Sequence, residues 1–159
     1  MIRVQEEDFD VGAEIAALTG GDRSIGAVAT FVGLVREMAP VEGETRAIES
    51  MTLEHYPGMT EKKLAEIEDE ANRRWPLAAS LIIHRYGTLS PGERIVFVAC
   101  ASAHRHAAFE ACQFLMDWLK TEAPFWKLEA TDTGGAWVDA RESDDHAVAR
   151  WTDKPDAAE

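Results

Sequence analysis

Two short turns constrain the fold of this chain more than any other feature of its sequence. The segment Ser-Pro-Gly-Glu at 90–93 separates two apolar, strand-like segments at 81–86 and 95–101. A second turn, Asp-Thr-Gly-Gly at 132–135, lies between two further strand-like segments. Turns this short join only antiparallel neighbours, because a parallel pair needs a crossover of roughly a dozen residues or more. The sequence therefore predicts a sheet that is largely antiparallel.

The other predicted elements alternate between strands and helices. Helices 60–75 and 103–121 are amphipathic, and Thr60 and Ser102 are their predicted N-caps. Their predicted buried residues are Leu64, Ile67 and Ala71 in the first, and Phe109, Cys112, Leu115, Met116 and Leu119 in the second. The remaining predictions are strands at 2–5, 25–35, 47–54, 126–131 and 136–138, helices at 10–18 and 143–151, and a mobile loop at 37–45.

Together these elements predict one α+β domain over residues 1–151, followed by a disordered tail at 152–159. The domain is expected to contain a largely antiparallel sheet, two main packed helices and a small additional β segment. Strand 25–35 is expected to be buried, because it is apolar and rich in small and β-branched residues.

Acidic residues outnumber basic ones, 29 Asp and Glu against 16 Lys and Arg, for a net charge of −13. This balance argues against nucleic-acid and anionic-membrane binding, because both need a basic face. The sequence shows no apolar signal segment and no apolar run near the roughly 20 residues that span a bilayer, so a cytoplasmic location is expected. Cys100 and Cys112 fall in apolar patterns and are expected to be reduced core thiols.

Four cationic residues in one stretch are the strongest functional signal: His104, Arg105, Lys120 and Lys127. His104 and Arg105 lie at a helix start, where backbone N–H groups already favour an anion. Lys127 follows a Pro-Phe-Trp segment whose bulk can desolvate an ammonium group. The alternatives are a surface arginine, a packed histidine, a lysine that complements the helix dipole and an exposed strand lysine.

Arg36 is a fifth candidate, because it ends an apolar strand beside the predicted loop. Its alternative is a solvated loop charge. Glu54 and His55 come nearest to a metal pair, but no further ligands show the right spacing, so no metal site is expected.

The spacing of the cations sets a geometric problem. Fifteen helical residues separate Arg105 from Lys120, which is about 22 Å of rise. The two ends of one helix cannot contact one small ligand. If all four cations serve one site, a two-fold dimer must bring the helix start of one copy to the helix end of the other.

Several segments, in order along the chain, resemble one family, the catalytic (large) subunit of molybdopterin synthase, or MoaE family. LEHYPGM at 53–59, and SAHR at 102–105 followed by the two-lysine segment, are specific in combination. The full set is FVGLVR at 31–36, LEHYPGM, His84-Arg85 with Gly87 and Gly92, SAHR, 117–120, 124–127, Trp137-Val138 and Ala140-Arg141.

The resemblance implies an α/β-hammerhead fold and a homodimer core. It also implies a partner, a small ubiquitin-like sulfur carrier whose C-terminal Gly-Gly ends in a thiocarboxylate, so that the assembly is a heterotetramer. The implied reaction is a sulfurtransferase step of molybdenum cofactor biosynthesis, in which cyclic pyranopterin monophosphate receives two sulfurs as the dithiolene of molybdopterin. No resident cofactor is implied.

The resemblance also assigns residues. Lys120 and Lys127 match the family's catalytic lysines and also count as substrate contacts. Further substrate contacts are Arg36, His104 and Arg105, with the backbone of Leu34, Val35, Leu128 and Glu129 near the site. Phe31, Met116 and Arg141 match positions that line the site or the channel for the carrier tail. Leu34 stands where the family often has a polar or basic residue, which leaves only a backbone role there.

Two other functions remain open at this point. The same cations are compatible with a noncatalytic dimeric module that binds a ubiquitin-like tail or a phosphorylated metabolite. A purely structural α+β dimer is the third reading, and it predicts no affinity for phosphate ligands.

Overall fold

The computed structural model describes residues 1–41, 44–131, 134–138 and 147–151. In these ranges, strands form two sheets, and helices pack on both faces of the first. The strands are β1 (Ile2–Gln5), β2 (Ala27–Leu34), β3 (Met38–Val41), β4 (Glu44–His55), β5 (Leu77–Arg85), β6 (Gly87–Leu89), β7 (Arg94–Ser102), β8 (Phe125–Thr131) and β9 (Gly134–Val138), and the helices are α1 (Val11–Thr19), α2 (Met59–Arg74) and α3 (Arg105–Glu122).

The first sheet has the strand order β1-β5-β7-β2. The pairs β5–β7 and β2–β7 are antiparallel, and β1 pairs with β5 in parallel. The turn at 90–93 is closed by a hydrogen bond of 3.0 Å from the Glu93 N–H to the Ser90 carbonyl oxygen. The antiparallel sheet and the α+β class predicted from the turns are therefore confirmed.

Both faces of this sheet are covered, and that explains its continuous apolar strands. Neighbouring residues of a strand point to opposite faces, yet Ile82 and Ile83 are both fully buried. Ile82 packs in the larger core with Leu64 of α2 and Leu115 of α3. Ile83 packs on the opposite face, in the cluster that α1 covers. Cys100 and Cys112 are buried free thiols of the larger core.

The second sheet has the order β3-β4-β8-β9, with β6 paired to β4. A small cluster of Val35, Met51, Leu53 and Leu89 connects it to the end of β2. The sequence predicted no strand at 87–89. The three residues of β6 nevertheless pair with β4 of the second sheet, although they follow β5 of the first sheet almost directly. The predicted pairing across the turn at 132–135 is confirmed by the antiparallel pair β8–β9; residues 132–133 themselves lie outside the described ranges.

The prediction of a loop at 37–45 was wrong over most of its described part, while residues 42–43 lie outside the described ranges. Met38–Val41 form strand β3, paired antiparallel with the start of β4, with Met38 opposite Ala47. Pro40 is a loop signal in the sequence, but β3 is an edge strand. A proline is tolerated at an edge because its missing N–H has no ladder partner to lose.

Both predicted N-caps were also wrong. Gly58 is the N-cap of α2, and its N–H donates to the Glu61 carboxylate at 2.6 Å. Thr60 is buried, and its hydroxyl donates to the Pro124 carbonyl at 3.3 Å. Ser102 ends β7 and donates to the Pro76 carbonyl at 2.9 Å, while His104 is the N-cap of α3.

The predicted C-terminal helix is described only at 147–151, where the chain is helical. Its Trp151 is 2% exposed and packs edge-on against Trp75 and Phe114, with ring centroids 5.7 and 5.5 Å apart. Residues 143–146 and the predicted disordered tail at 152–159 lie outside the described ranges.

Gly26 allows the connection before β2 to approach the start of α3, and this closeness yields a stability prediction. A Cβ at Gly26 would lie 2.2 Å from the Ala103 carbonyl oxygen. Gly26→Ala is therefore expected to lower the free energy of unfolding by about 1–3 kcal/mol in urea titrations. At the control Gly12→Ala the nearest atom is the Asp10 Oδ1, 3.3 Å away at the end of a side chain, so a smaller change is expected. Equal midpoints for the two variants would contradict this.

Candidate active site

Helix α3 lies along β2 and runs in the same direction, and two grooves follow the line between them. The arginine groove, of about 600 Å³, lies at the start of both elements and is lined by Gly26, Ala27, Ala103, His104, Arg105, His106, Phe109 and Glu110. The lysine groove, of about 460 Å³, lies further along and is lined by Ala29, Thr30, Phe31, Phe109, Cys112, Gln113, Met116, Asp117 and Lys120. Phe109 belongs to both.

The grooves exist because β2 is an edge strand of the first sheet in the described part of the chain. The sequence predicted β2 to be buried, and this was wrong for much of its length. Phe31 is 39% exposed and Leu34 is 51% exposed. Small and β-branched residues suit a covered strand and an edge strand alike, so composition alone does not separate the two.

The predicted buried stripe of α3 was wrong at Phe109, which is 65% exposed. Cys112, Leu115 and Leu119 are buried as predicted, and the helix also buries Ala108, Ala111 and Phe114. Five residues share the neighbouring face, because their spacing of i, i+4, i+8, i+11 and i+15 keeps them within an arc of about 80°. This groove face of α3 consists of Arg105, Phe109, Gln113, Met116 and Lys120.

The start of α3 places His104 and Arg105 as predicted, in the arginine groove. His104 is the N-cap with extended backbone angles and makes no side-chain cap hydrogen bond. Both side chains are exposed. An exposed helix start with a guanidinium beside it favours an anion, because the first N–H groups and the dipole point at the same place.

The other end of α3 places Lys120 in the lysine groove, with Phe31 and Met116 on its walls. Asp117 lines the same groove, but its carboxylate is engaged elsewhere. It accepts a hydrogen bond of 2.7 Å from the Trp151 Nε1 and lies 3.5 Å from the Arg150 Nε. Lys120 is exposed, so the groove presents a cation beside an apolar wall.

Lys127 lies on β8, opposite Leu53 of β4. Opposite residues of an antiparallel pair share a face, so Lys127 borders the small cluster that contains Leu53 and Val35. Lys127 is exposed and Trp126 is 48% exposed. The aromatic neighbours therefore do not bury this lysine within a single copy of the chain, and the structure agrees with the alternative of an exposed strand lysine.

Arg36 follows the end of β2 on the other side of the same cluster and is exposed. Its neighbour Val35 is 3% exposed, and both backbone groups of Val35 are hydrogen-bonded to the turn at 90–93. The Val35 N–H donates to Glu93 at 2.9 Å, and the Gly92 N–H donates to the Val35 carbonyl at 2.8 Å. A buried Arg85 steadies that turn through an ion pair with Glu93 at 3.4 Å.

The remaining predicted site residues fall into two groups. Leu128 and Glu129 lie on β8 beside Lys127, and Glu129 is 7% exposed opposite Met51. Arg141 lies outside the described residues. Within the described ranges, no cluster of three or more His, Cys, Asp or Glu side chains has an arrangement for a metal ion, and no helix there is long and apolar enough to cross a membrane.

One copy of the chain thus holds two half-sites. Lys120 lies at the end of α3 that points toward the end of β2, the same end as Arg36 and Lys127. His104 and Arg105 lie at the opposite end, about 22 Å along the helix from Lys120. The separation predicted from the sequence is what the fold produces.

Sequence reasoning missed His84 as a component of this region. His84 is 9% exposed and its ring stacks on Phe125, with centroids 3.6 Å apart and planes inclined by 15°. Burial, together with the ammonium of Lys127 and the ring of His55, lowers the pKa of His84 to about 4. The motif His84-Arg85 was visible in the sequence, but no local pattern marked the histidine as a neighbour of Lys127.

Comparison with known proteins identifies the family. The family model described as MoaE protein matches residues 4–122. The chain belongs to the MoaE protein family. A protein of Ralstonia nicotianae named molybdopterin synthase catalytic subunit is 58% identical over 99% of this chain and 89% of its own length. The protein of the same name from Escherichia coli is 55% identical over 94% of this chain and 97% of its own.

A solved structure agrees with this assignment. The molybdopterin biosynthesis MoaE protein from Burkholderia ambifaria superposes with a TM-score of 0.81 and is 52% identical, over 97% of this chain and 99% of that one. The MoaE family resemblance read from the motifs is therefore confirmed, as is its mixed, mainly antiparallel fold.

The low pKa of His84 predicts how stability depends on pH. The folded state keeps this imidazole neutral down to about pH 4, whereas the unfolded state takes up a proton near pH 6.5. The neutral His84 ring therefore makes its full contribution to the free energy of unfolding above pH 6.5, and this contribution is lost as the pH falls toward 4. Between pH 7 and pH 5, this group alone should lower the free energy of unfolding by about 2 kcal/mol. Urea unfolding at both pH values should show that difference in the wild type and not in His84→Phe. An equal pH dependence in both proteins would refute the assignment.

Proposed function

We propose that this protein is the catalytic subunit of a molybdopterin synthase, as the names of its relatives indicate. The proposed reaction transfers sulfur from the thiocarboxylated C-terminus of a small carrier protein to cyclic pyranopterin monophosphate, and the product is the dithiolene of molybdopterin. The observation that carries this proposal is the pair of cationic half-sites at opposite ends of α3, on a chain of net charge −13.

Electrostatics support an anionic substrate. A strongly acidic protein repels a phosphate at long range, so binding requires a local cationic pocket that overcomes the field of the whole chain. His104 and Arg105 provide a guanidinium, an imidazole and a helix start in one groove. We assign this half-site to the cyclic phosphate, and Arg36 to a second anionic contact.

The lysine groove supports a peptide-like second reactant. Its walls include the exposed Phe31 and the partly buried Met116, and Lys120 lies among its lining residues. An extended C-terminal tail fits such a groove, because its apolar walls hold the chain and the ammonium group pairs with a terminal thiocarboxylate. The partner proposed here is a ubiquitin-like carrier that ends in Gly-Gly, and the relatives' name, catalytic subunit, implies that they act with a further subunit.

The two lysines supply the chemistry. Attack by a thiocarboxylate and opening of a cyclic phosphate both require proton transfers and stabilisation of an anion. A lysine side chain performs either task, and Lys120 and Lys127 are seven residues apart across the short link between α3 and β8. We propose that the reactive sulfur arrives on the carrier and that the site needs no resident cofactor.

The groove face of α3 supports assembly of the site from two copies. Its residues are symmetric about a point between residues 112 and 113, close to the middle of the helix: Arg105 and Lys120 lie equally far from that point, and so do Phe109 and Met116. Two such helices packed antiparallel would place Arg105 of one copy opposite Lys120 of the other. Phe109 would then be covered, which accounts for a large apolar side chain left 65% exposed in a single copy.

Lys120→Ala tests the catalytic assignment. The variant is expected to abolish dithiolene formation from thiocarboxylated carrier and cyclic pyranopterin monophosphate, because it removes an ammonium from the groove without touching the core. Dimerisation and carrier binding, measured by light scattering and calorimetry, should persist, because the apolar walls of the groove still hold the tail when this one ion pair is lost. Lys62→Ala, an exposed lysine on α2, is the control and should turn over normally. Normal turnover by Lys120→Ala would disprove the assignment.

Mixed dimers test the shared site. Arg105→Ala and Lys120→Ala subunits, each inactive alone, should regain activity when combined, because half of the sites in a hybrid dimer carry neither substitution. Native mass spectrometry shows whether hybrids form. Hybrids that form and stay inactive would place each site within one copy.

The same assay decides among the competing functions. A noncatalytic module that binds a ubiquitin-like tail or a phosphorylated metabolite would show binding without product, and a purely structural dimer would show neither. The family membership favours the enzyme. The homodimer, the heterotetramer with the carrier and the cytoplasmic location expected from the sequence are part of this proposal.

A further inference from the structure

Four rings connect the first sheet to the second beside Lys127. His84 of β5 stacks face to face on Phe125 of β8, with centroids 3.6 Å apart. His55 of β4 lies 6.2 Å from Phe125 and 4.4 Å from the ring of Tyr86. This ring cluster, His55, His84, Tyr86 and Phe125, spans the place where three strands meet.

The ring cluster fixes the direction of β8. That strand begins at Phe125, and only two residues separate it from Glu122, the last residue of α3. Residues two apart on a strand share a face, so Lys127 follows Phe125 on the side that carries the stack. Whatever orients Phe125 therefore orients Lys127 relative to Lys120, which lies on the other side of the link.

Hydrogen bonding fixes the tautomer of His84. Its Nδ1 lies 2.8 Å from the Arg85 carbonyl oxygen. A carbonyl oxygen only accepts, so Nδ1 carries the proton and donates, and in the neutral ring Nε2 keeps a lone pair. The ring is buried, and the Lys127 ammonium and His55 are the titratable groups that act on it. A second cation at this position would repel the lysine, whereas a neutral imidazole does not.

We propose that His84 is a positioning residue for Lys127: its buried ring, stacked on Phe125, sets the start of β8 and with it the position of the lysine two residues further along the strand. The proposal rests on the proposed function for its catalytic consequence. Its structural part concerns Lys127 alone and is measurable without turnover.

Two substitutions separate the stacked ring from its nitrogens. His84→Phe keeps an aromatic ring on Phe125 and removes the nitrogen, and His84→Leu removes both. His84→Leu is expected to lower kcat between about 10- and 100-fold, because small misplacements of a reacting group cost this much. His84→Phe should lose less. KM for the pterin substrate should change little, because Arg36, His104 and Arg105 are unaltered.

Acetylation of surface lysines provides a measurement that would stay unchanged if His84 only stabilised the fold. Each protein is treated briefly with acetic anhydride, and modification is quantified by mass spectrometry. The ratio of Lys127 to Lys120 modification should rise in His84→Leu, and less in His84→Phe, because loss of the stack on Phe125 loosens the start of β8 and lets the Lys127 side chain move. Lys120, in the same molecule, is the internal reference.

Two further variants complete the design. Phe125→Leu removes the same stack from the other side and should lower kcat as His84→Leu does, which keeps the test decisive if a His84 variant fails to fold. Phe9→Leu disrupts a ring pair on the opposite face of the first sheet, 5.8 Å from Phe97, and should leave both kcat per folded molecule and the acetylation ratio unchanged.

The outcomes are distinguishable. An unchanged acetylation ratio in both His84 variants, or wild-type kcat in His84→Leu, would overturn the positioning role, as would equal losses in Phe9→Leu. If wild-type protein makes no dithiolene, the proposed function fails, and the acetylation ratio still decides whether His84 controls Lys127.

Discussion

The rigidity of α3 is the constraint on which the rest of the site depends. A continuous helix of 18 residues fixes the distance between its ends, because its backbone hydrogen bonds leave no freedom along the axis. Its buried side is held by the first sheet and by α2, so the helix cannot bend to bring its ends together. The separation of the two cationic half-sites is therefore a property of the core and not of side-chain rotamers.

The second determinant is the junction between the two sheets. The cluster of Val35, Met51, Leu53 and Leu89 ties the end of β2 to β4 and β6. Arg36 and Lys127 lie at its border, although 91 residues separate them in the chain. A short strand such as β6 contributes little area, but it supplies Leu89 to this cluster and so helps to hold two candidate site residues that no local pattern connects.

The sequence was most informative where local chemistry decides the structure. The turns at 90–93 and 132–135 gave the antiparallel pairing, and the motifs gave the family. The predictions that were wrong concern residues whose structure depends on tertiary contacts. Pro40 is tolerated in β3 because β3 is an edge strand. The Thr60 hydroxyl donates a hydrogen bond to the Pro124 carbonyl oxygen and does not cap its own helix. Phe109 fits an apolar period, but the face it belongs to is a groove.

Candidate site residues followed the same division. The cations were visible as residue types, and the length of the predicted helix was enough to fix the separation of Arg105 from Lys120. The surroundings of Lys127 could not be predicted from the sequence, in which Pro124, Phe125 and Trp126 precede it directly. In the structure, Phe125 stacks on His84, and Trp126 is 48% exposed. Sequence neighbours on a strand alternate between faces, so adjacency in the chain is a poor guide to which group desolvates a lysine.

The exposure of both lysines gives the two-copy arrangement a chemical purpose. In water an ammonium is well solvated, and its interaction with an anion is weak because the dielectric constant is high. Lys120 and Lys127 are both exposed in one copy of the chain, so neither is desolvated by its own fold. A second copy packed on Phe109, and a carrier tail held between Phe31 and Lys120, would together exclude water at the place where charge develops. Assembly would then supply the desolvation that the core of a single copy does not.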